Sequence, residues 1–324
     1  MKKLSFIVPS FNKKKYIGDT IDSILNQTYK NIELIIIDDY STDGTRDFLI
    51  DFKSEYLSDK RIIIELLEQN RGANYCRNLG IKKASGDYIV FIDADDLIVS
   101  DCAEKRVEVF LKNPSLDFAI FSMGVFKNKI GDTNGKWLPT SKNPLIDFLQ
   151  HKLPWSIIQP VWNKNFLIKL DGFDLEFTRL QDVEFHTRVL FESNIKYLVF
   201  AERTDCYYRT DEQRINGSVE QFLKKHIDSI SMYYKKYFPL AKAKGIEKYM
   251  LGTIFQGYTY LMAYYKNGKL TDSQFKALEK QLLSDVTDNK KNLFMLGRFF
   301  NITFPFRIKG VNFLLRKLLY FSIF

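Results

Sequence analysis

Residues 86–96 read Gly-Asp-Tyr-Ile-Val-Phe-Ile-Asp-Ala-Asp-Asp, an apolar run that ends in three carboxylates. The apolar part is short, rich in β-branched and aromatic residues and preceded by a glycine, which predicts a strand. Because strand side chains alternate between faces, Asp93 and Asp95 are expected to share one face. Hard divalent cations such as Mg2+ or Mn2+ bind clustered carboxylates of this kind. The alternative is a solvated acidic turn without a ligand.

Strands and helices alternate on both sides of this stretch through the first 125 residues. The strands are expected at Leu4–Pro9, Ile32–Asp38, Arg61–Leu67, Asp87–Asp93 and Leu116–Phe121, and the helices at Lys14–Gln27, Asp43–Tyr56, Ala73–Ala84 and Asp101–Lys112. The strands lack the apolar–polar alternation of a sheet with one wet face. They therefore predict an α/β fold with a mostly parallel, Rossmann-like sheet that helices cover on both faces.

The carboxyl ends of the first four strands all carry polar residues. These are Pro9-Ser10-Phe11-Asn12, Asp38-Asp39, Asn70-Arg71-Gly72 and Asp93–Asp96. Right-handed crossovers bring the four strand ends to one edge of the sheet, where open α/β folds bind ligands. A nucleotide-type ligand is expected there. The sequence has neither a Walker-type loop nor a Gly-x-Gly-x-x-Gly fingerprint, which argues against phosphate binding by backbone alone and against a NAD-dependent oxidoreductase.

The composition is that of a globular protein, with 324 residues, 45% hydrophobic and 27% charged. Three cysteines without Cys-x-x-Cys spacing favour a reducing compartment. The start Met1-Lys2-Lys3 runs directly into a strand, and no apolar run reaches the roughly 18 residues of a membrane span. A cytoplasmic protein is expected. Basic residues dominate 291–324, which contain no acid, so a general nucleic-acid surface is not expected.

Taken in order, the segments of this sheet edge resemble family 2 glycosyltransferases of the GT-A fold. The matching segments are Ser5–Asn12, Ser23–Thr28, Glu33–Thr45, Asn70-Arg71-Gly72 with Arg77-Asn78, and Gly86–Asp96. The resemblance covers residues 4–125 and is looser to about 210. It implies a nucleotide-sugar-binding half at 1–125, an acceptor-binding and catalytic-base portion at 126–215, and a helical C-terminal extension at 216–324.

The resemblance implies a role in donor binding for several residues of the first strand ends. Asp39 would accept the imide N–H of a uracil ring, although guanine presents a similar edge. Pro9, Phe11 and Asn12 would lie around that ring. The alternative for Asp38 and Asp39 is a turn in which their side chains cap the backbone.

Other residues would bind the remainder of the donor. Asn70 and Arg77 would lie near the ribose or phosphates, with a helix-start cap and a surface cation as alternatives. Asp93 would face the ribose or the metal, and Asp95 would bind the Mn2+ or Mg2+ that bridges the diphosphate. Arg209 would approach the diphosphate or pack in the protein.

The resemblance also implies a catalytic base, because an acceptor hydroxyl must lose a proton as it attacks the sugar. The segment beginning at Gln181 matches the family's acidic pair with its first acid replaced, which leaves Asp182 as the base and Glu184 as the fallback. A helix cap is the alternative for Asp182. Trp162 and Asn163 resemble acceptor-side residues, or pack in the core. The processive Gln-x-x-Arg-Trp signature is missing, so single additions are expected.

The C-terminal segment carries apolar residues at helical spacing beside basic ones, namely Val311, Leu314, Leu315, Leu318 and Leu319 with Arg316 and Lys317. Such a segment binds the surface of an anionic membrane. Packing on the core or on a second copy of the chain, which would form a homodimer, is the alternative.

The sequence thus predicts an inverting, metal-dependent glycosyltransferase at the cytoplasmic face of the inner membrane. It would move one sugar from a nucleoside-diphosphate donor, favoured to be a UDP-sugar, to a glycan or lipid-linked acceptor. The rivals are a sugar-nucleotide nucleotidyltransferase and a non-catalytic glycan- or membrane-binding protein on the same scaffold.

Overall fold

The computed structural model describes residues 2–210, 218–284 and 286. The chain forms two compact units, one of residues 1–142, 154–176 and 188–212, the other of residues 143–153, 177–187 and 213–324. Residues 126–215 contribute to both units, so the units differ from the three consecutive portions expected from the sequence. Those portions stay a functional prediction. The expected amphipathic tail lies outside the described residues.

The first unit contains one mixed β-sheet. Its strands are β1 Leu4–Ser10, β2 Ile32–Asp38, β3 Ile62–Leu66, β4 Tyr88–Phe91, β5 Leu97–Ile98, β6 Phe118–Phe126, β7 Lys136–Trp137, β8 Pro160–Asn163 and β9 Tyr197–Arg209. They lie in the order β3-β2-β1-β4-β8-β6-β9-β5, with β7 beside β6. Strands β1 to β4 pair in parallel, as predicted. Beyond them β8 runs antiparallel to β4 and β6, β6 and β9 are parallel, and β5 is antiparallel to β9.

The helices follow the predicted alternation and continue into the second unit. They are α1 Ile17–Leu25, α2 Thr45–Glu55, α3 Ala73–Lys83, α4 Cys102–Lys112, α5 Pro144–Leu149, α6 Lys164–Lys169, α7 Gln181–Phe191, α8 Val219–Ala243, α9 Leu251–Lys266 and α10 Asp272–Leu282. The sequence placed α1 to α4 within a few residues of these bounds. Helix α5 begins at Pro144, and the Asn143 side chain caps it.

Helices pack on both faces of β1. Phe6 and Val8 belong to a buried core with side chains of α1, α2 and α4. Ile7 points to the other face, where a Cβ on Gly80 of α3 would lie 2.3 Å from its Cγ2. Because alternate side chains contact different helices, β1 is buried along its whole length, and its carboxyl end is the part that reaches the ligand edge.

Three of the helices in the second unit pack around their own apolar core, to which Leu223, Ile227, Ile254, Phe275 and Leu282 contribute. Helix α10 begins with a capping box between Thr271 and Gln274. In the described part of the chain, no helix is both long and apolar enough to cross a membrane.

The amino ends of the strands are held by the buried carboxylate of Glu33, which is 2% exposed. It accepts hydrogen bonds from the Ser5 hydroxyl at 2.5 Å and from the Ser85 amide at 2.6 Å, and it pairs with Lys3 at 2.9 Å. Burial by itself raises the pKa of this carboxyl, but the hydrogen bonds from Ser5, Ser85 and Lys3 lower it to about 2. Glu33 therefore stays charged and ties β2 to β1 and to the start of β4.

We expect Glu33→Gln to lower the free energy of unfolding by about 2–4 kcal/mol at neutral pH, because an amide replaces a paired, buried charge. Between its ordinary pKa of 4.5 and the folded value of about 2, the unfolded chain binds more protons than the folded one. The stabilisation is thus complete above that range and lost as the pH falls through it. Urea denaturation at several pH values should show the two proteins converging at low pH. Glu65→Gln, which breaks an exposed pair with Lys83, is the matched control.

A second buried ion pair joins α4 to β9. Arg106 and Asp205 are both fully buried, and the guanidinium Nε and Nη2 donate to the two carboxylate oxygens at 2.9 and 2.8 Å. Arg106 also donates to the Ile158 carbonyl at 3.0 Å, and its guanidinium lies over the Phe121 ring. The Asp205 carbonyl accepts from Val99, the residue after β5. The pair therefore fixes β9, the neighbour of β5, and β5 is the strand that follows the acidic turn Asp93–Asp96.

We expect Arg106→Met to lower the free energy of unfolding by about 3–5 kcal/mol, since it leaves a buried carboxylate without its counter-charge. The double variant Arg106→Met, Asp205→Leu should be more stable than Arg106→Met alone. Denaturant unfolding of the two single variants and the double variant measures the coupling. Additive losses would contradict a direct ion pair.

Candidate active site

The loops after β1 and β2 are connected by a chain of hydrogen bonds. The Ser41 hydroxyl donates to the Asp38 carboxylate at 2.5 Å and accepts from the Asn12 amide at 2.9 Å. The Asn12 side-chain oxygen accepts from the Thr42 amide at 2.8 Å. Asn12 and Tyr40 both have positive φ, 53° and 65°, so two non-glycine residues hold the left-handed conformation at this edge. Asp38 and Asn12 thus hold the two loops together. For Asp38 these contacts agree with the alternative of a turn stabilised by its side chain.

Asp39 joins the end of β2 to the loop after β3. Its two carboxylate oxygens accept from the Arg71 amide at 2.6 Å and the Gly72 amide at 2.8 Å. Its carbonyl accepts from the Asn70 side chain at 3.1 Å. Gly72, at φ 87°, directly precedes α3, so Asn70 does not occupy the helix-start cap position. A carboxylate accepts up to about four hydrogen bonds, so Asp39 can hold this loop and still receive a donor from a ligand.

The end of β4 carries the second acidic position. Asp93 accepts from the Arg77 guanidinium at 2.9 Å, and its side chain is 41% exposed. Arg77 comes from α3, is 4% exposed and lies over the Phe173 ring. The surface-cation alternative for Arg77 is therefore wrong, because the side chain is buried against the acidic turn. The arrangement places a fixed positive charge behind an accessible carboxylate.

Asp95 faces the loop after β1. Its Oδ2 lies 2.5 Å from the Lys13 Nζ, and its side chain is 10% exposed. The Asp95 carbonyl accepts from the Arg209 Nε at 2.9 Å, and the Asp96 carboxylate accepts from the Arg209 amide at 2.9 Å. Asp96 also accepts at its carbonyl from the Thr20 hydroxyl. Asp96 and Arg209 thus hold the turn in place, whereas the Asp93 and Asp95 carboxylates pair with the cations Arg77 and Lys13.

Arg209 makes contacts with several protein groups. Its Nη2 donates to Asp19 at 3.0 Å, and its guanidinium lies over the Tyr16 and Phe126 rings at 4.6 and 4.5 Å. It is 3% exposed. These contacts agree with the alternative that Arg209 packs in the protein. Its approach to a diphosphate stays a prediction.

Pro9 is buried within β1, whereas Phe11 is 39% exposed just beyond it. The Ser10 carbonyl between them accepts from the Asp39 amide at 2.8 Å. Phe11 therefore offers an accessible aromatic ring in the segment next to Asp39. Burial and the nearby negative charge of Asp39 raise the pKa of the Cys76 thiol, so this neighbour stays neutral.

Trp162 and Asn163 lie on β8. Trp162 is fully buried, with its ring 4.7 Å from Phe118 and 6.4 Å from Phe166, centroid to centroid. This burial corrects the expectation that its aromatic face lines the acceptor side. The Asn163 side chain accepts from the Asn165 amide at 3.0 Å and so caps α6.

Asp182 and Glu184 lie in the second unit, at the start of α7. Asp182 is the second residue of that helix and half-buried, so it does not occupy the cap position. Glu184 is 1% exposed, pairs with Lys236 at 2.9 Å and accepts from the Tyr237 hydroxyl at 2.8 Å. Because these contacts fix a buried Glu184 charge, Asp182 is the more accessible carboxylate of this turn.

No group of three or more His, Cys, Asp or Glu side chains that could hold a metal ion occurs among residues 2–210, 218–284 and 286. The edge instead combines three carboxylates, Asp39, Asp93 and Asp95, with two cations, Lys13 and Arg77. Such a site can accept hydrogen bonds from a base and face an anionic ligand.

A sequence model of Glycosyl transferase family 2 matches residues 5–174, more than half of the chain. The chain belongs to this family. The match includes every strand end of the edge just described and confirms the family that the sequence motifs predicted.

Two curated relatives show how far the similarity extends. TuaG of Bacillus subtilis (strain 168), named for teichuronic acid biosynthesis, is 42% identical over 109 residues, which are 34% of this chain and only 42% of that protein. The Escherichia coli UDP-Glc:alpha-D-GlcNAc-diphosphoundecaprenol beta-1,3-glucosyltransferase WfgD is 28% identical over 271 residues, 82% of this chain and 98% of its own length. Another relative, from Haemophilus influenzae, is matched over 44% of its length.

Solved structures with the same fold align with nearly the whole chain. S. aureus TarS 1-349 has a TM-score of 0.64 at 18% identity, covering 93% of this chain and 88% of that one. TarS has also been solved with UDP and with UDP-GlcNAc. The mannosyltransferase PcManGT from Pyrobaculum calidifontis, in complex with GDP-Man and Mn2+, has a TM-score of 0.56 at 16% identity and covers 98% of this chain and 86% of that one. These likenesses give the glycosyltransferase the GT-A fold.

Sequence reasoning found the carboxylates of this glycosyltransferase but missed the groups that they contact. These groups include Lys13, Ser41 and Arg71, of which Ser41 and Arg71 lie within the segments that match the family. Their position in motifs that the family shares was the available signal. The partners themselves depend on loops that are 29 to 82 residues apart in sequence.

We expect Asp39→Asn to release the loop after β3, because an amide has only one acceptor oxygen and directs its NH2 group at an N–H donor. Hydrogen exchange at the Arg71 and Gly72 amides should become faster, and the free energy of unfolding should fall by about 1–3 kcal/mol. Asp51→Asn, an exposed position on α2, is the control. Unchanged exchange at both amides would show that the carboxylate does not hold this loop.

Proposed function

We propose that this protein transfers one sugar from a UDP-sugar to a hydroxyl of a lipid-linked or cell-surface glycan, with inversion at the anomeric carbon. The observation that carries the proposal is the single sheet edge that carries Asp39, Asp93 and Asp95, each held by a contact from a neighbouring loop or helix. A nucleotide-sugar has three parts that suit this edge of the sheet: a base with N–H donors, a diphosphate and a reactive sugar carbon.

The uridine is assigned to the end of β1 and β2. Asp39 has acceptor capacity left for an imide N–H after binding two backbone amides. Phe11 offers an exposed ring beside it, with Pro9 and the Asn12 loop fixing the backbone. The names of WfgD and of the TarS complexes refer to UDP-sugars, which favours uridine over guanosine.

The metal, Mn2+ or Mg2+, is assigned to Asp95 and Asp93. Mg2+ sites on phosphate substrates use only one or two carboxylates, and substrate oxygens and water complete the coordination. The two ligand-facing carboxylates therefore fit such an ion, and a cluster of three or more is not required. When bound, the ion would stabilise the charge that develops on the departing diphosphate. Asn70, Arg77 and Arg209 complete the proposed surroundings of the donor.

Asp182 is proposed as the general base. The acceptor oxygen attacks the anomeric carbon, its proton passes to the Asp182 carboxylate, and the bond between that carbon and the diphosphate oxygen breaks with its electron pair leaving on UDP. A single displacement of this kind inverts the configuration. Asp182 is half-buried, which suits a base, whereas Glu184 is only 1% exposed.

The acceptor is proposed to be lipid-linked, because WfgD is named for a diphosphoundecaprenol substrate and TuaG for a wall polymer. We place the enzyme at the cytoplasmic face of the membrane, with the basic tail as the contact or, alternatively, as a dimer contact. Asn163 is the remaining candidate for the acceptor side.

The proposal predicts that purified protein with Mn2+ and a panel of UDP-sugars releases UDP and glycosylates a polyprenyl-diphosphate-linked sugar in detergent. Asp182→Asn should lower kcat by about 100-fold or more and leave UDP binding unchanged, since a base acts only in the chemical step. Product analysis by mass spectrometry and NMR measures transfer and anomeric configuration. Glu192→Gln, at the other end of α7, is the control.

Full transfer by Asp182→Asn would overturn the base assignment. Failure of wild type to bind UDP or turn over any UDP-sugar would overturn the donor. Pyrophosphate release would instead indicate the nucleotidyltransferase, and glycan binding without turnover would indicate the non-catalytic alternative.

A further inference from the structure

Lys13 forms an ion pair with the carboxylate proposed to bind the metal. Its ammonium lies 2.5 Å from the Asp95 Oδ2, and the two side chains are 34% and 10% exposed. A carboxylate so far removed from water is costly unless a cation compensates it. The nearby Arg209 guanidinium donates instead to the Asp95 carbonyl and to Asp19. Lys13 is thus the counter-charge of the Asp95 carboxylate in this structure.

The Lys13 backbone is anchored, whereas its side chain is partly exposed. Its amide donates to the Thr45 hydroxyl at 2.9 Å, and the preceding Asn12 is bound to Ser41 and Thr42. The ammonium is carried on a four-carbon stem and is partly exposed. It can therefore leave Asp95 without any change in the loop after β1.

We infer that Lys13 is a displaceable counter-ion that blocks the metal ligand Asp95 until a metal arrives together with a nucleoside diphosphate. The inference rests on the metal site of the proposed function. It assigns Lys13 a role in the order of binding and no role in the proton transfer.

The charges at the edge explain why the order matters. Asp93 is paired with Arg77, and Asp95 with Lys13, so the two carboxylates are already neutralised. A divalent ion that enters alone meets two cations and must displace one of them from its carboxylate, and the ion brings no negative charge for the displaced cation to bind. A diphosphate brings its own negative charge, which compensates the metal and gives the Lys13 ammonium new oxygen acceptors. The metal and the nucleotide are therefore expected to bind together.

The test is a titration of the protein with Mn2+ alone. The electron paramagnetic resonance signal of the free ion measures how much Mn2+ remains unbound. Lys13→Met removes the ammonium and keeps the apolar stem. We expect it to bind Mn2+ roughly tenfold more tightly than wild type in the absence of nucleotide, by removal of one adjacent positive charge. Lys14→Met changes the same charge on the neighbouring residue, whose ammonium lies over the Phe48 ring, and should bind like wild type.

Two further variants test whether Asp95 is the site of the gain. Lys13→Arg retains the positive charge and should resemble wild type. In Lys13→Met, Asp95→Asn the gain should disappear. Equal Mn2+ affinity in wild type and a folded Lys13→Met, an equal gain in Lys14→Met, or a gain that survives loss of the Asp95 carboxylate would each overturn the inference. Thermal unfolding of each variant confirms that it is folded.

The same titrations with UDP present distinguish a failure of this inference from a failure of the proposed function. With UDP present, Mn2+ affinity should rise more in wild type than in Lys13→Met, because only wild type has a cation to displace. If UDP fails to bind to either protein, the proposed donor is wrong. The comparison with Mn2+ alone still decides the role of Lys13.

Discussion

The acidic turn on which the site depends is held by a buried ion pair that lies behind it. Arg106 and Asp205 satisfy each other's charge with two hydrogen bonds in the core. The Asp205 backbone in turn bonds to Val99 beside β5, and four residues later the Arg209 amide bonds to Asp96. Because a buried charge without its partner is so costly, the register of β9 against β5 is strongly specified. The position of the turn that carries Asp93 and Asp95 is specified through the same contacts.

At the ligand edge itself the charges are satisfied by one partly exposed cation, one buried cation and two backbone amides. Asp93 and Asp95 pair with Arg77 and Lys13, and Asp39 is satisfied by two backbone amides. These contacts let the folded chain keep three carboxylates on one edge without mutual repulsion. A ligand that binds one of these carboxylates would therefore compete with the protein group that already contacts it. Binding specificity at such an edge depends on which of those partners can move.

Much of the first unit could be predicted because its signals are local. Apolar runs of strand length, helical spacing and polar strand ends sufficed to place β1 to β4, α1 to α4 and the ligand edge. The prediction for Trp162 failed for the opposite reason. An aromatic residue in a short segment has the same local pattern whether it lines a surface or packs on Phe118 and Phe166, and only the pairing of β8 with β4 and β6 buries it.

The sequence by itself determined the family, the α/β alternation and the identity of the carboxylates, because each is encoded in a continuous segment whose residue types and spacing are sufficient. The tertiary structure alone decided the partner of each carboxylate. Lys13 reaches Asp95 across 82 positions, and Lys236 reaches Glu184 across 52. Ion pairs of this kind depend on the packing of distant loops and helices, since Coulomb attraction at contact distance depends on separation in space and not along the chain.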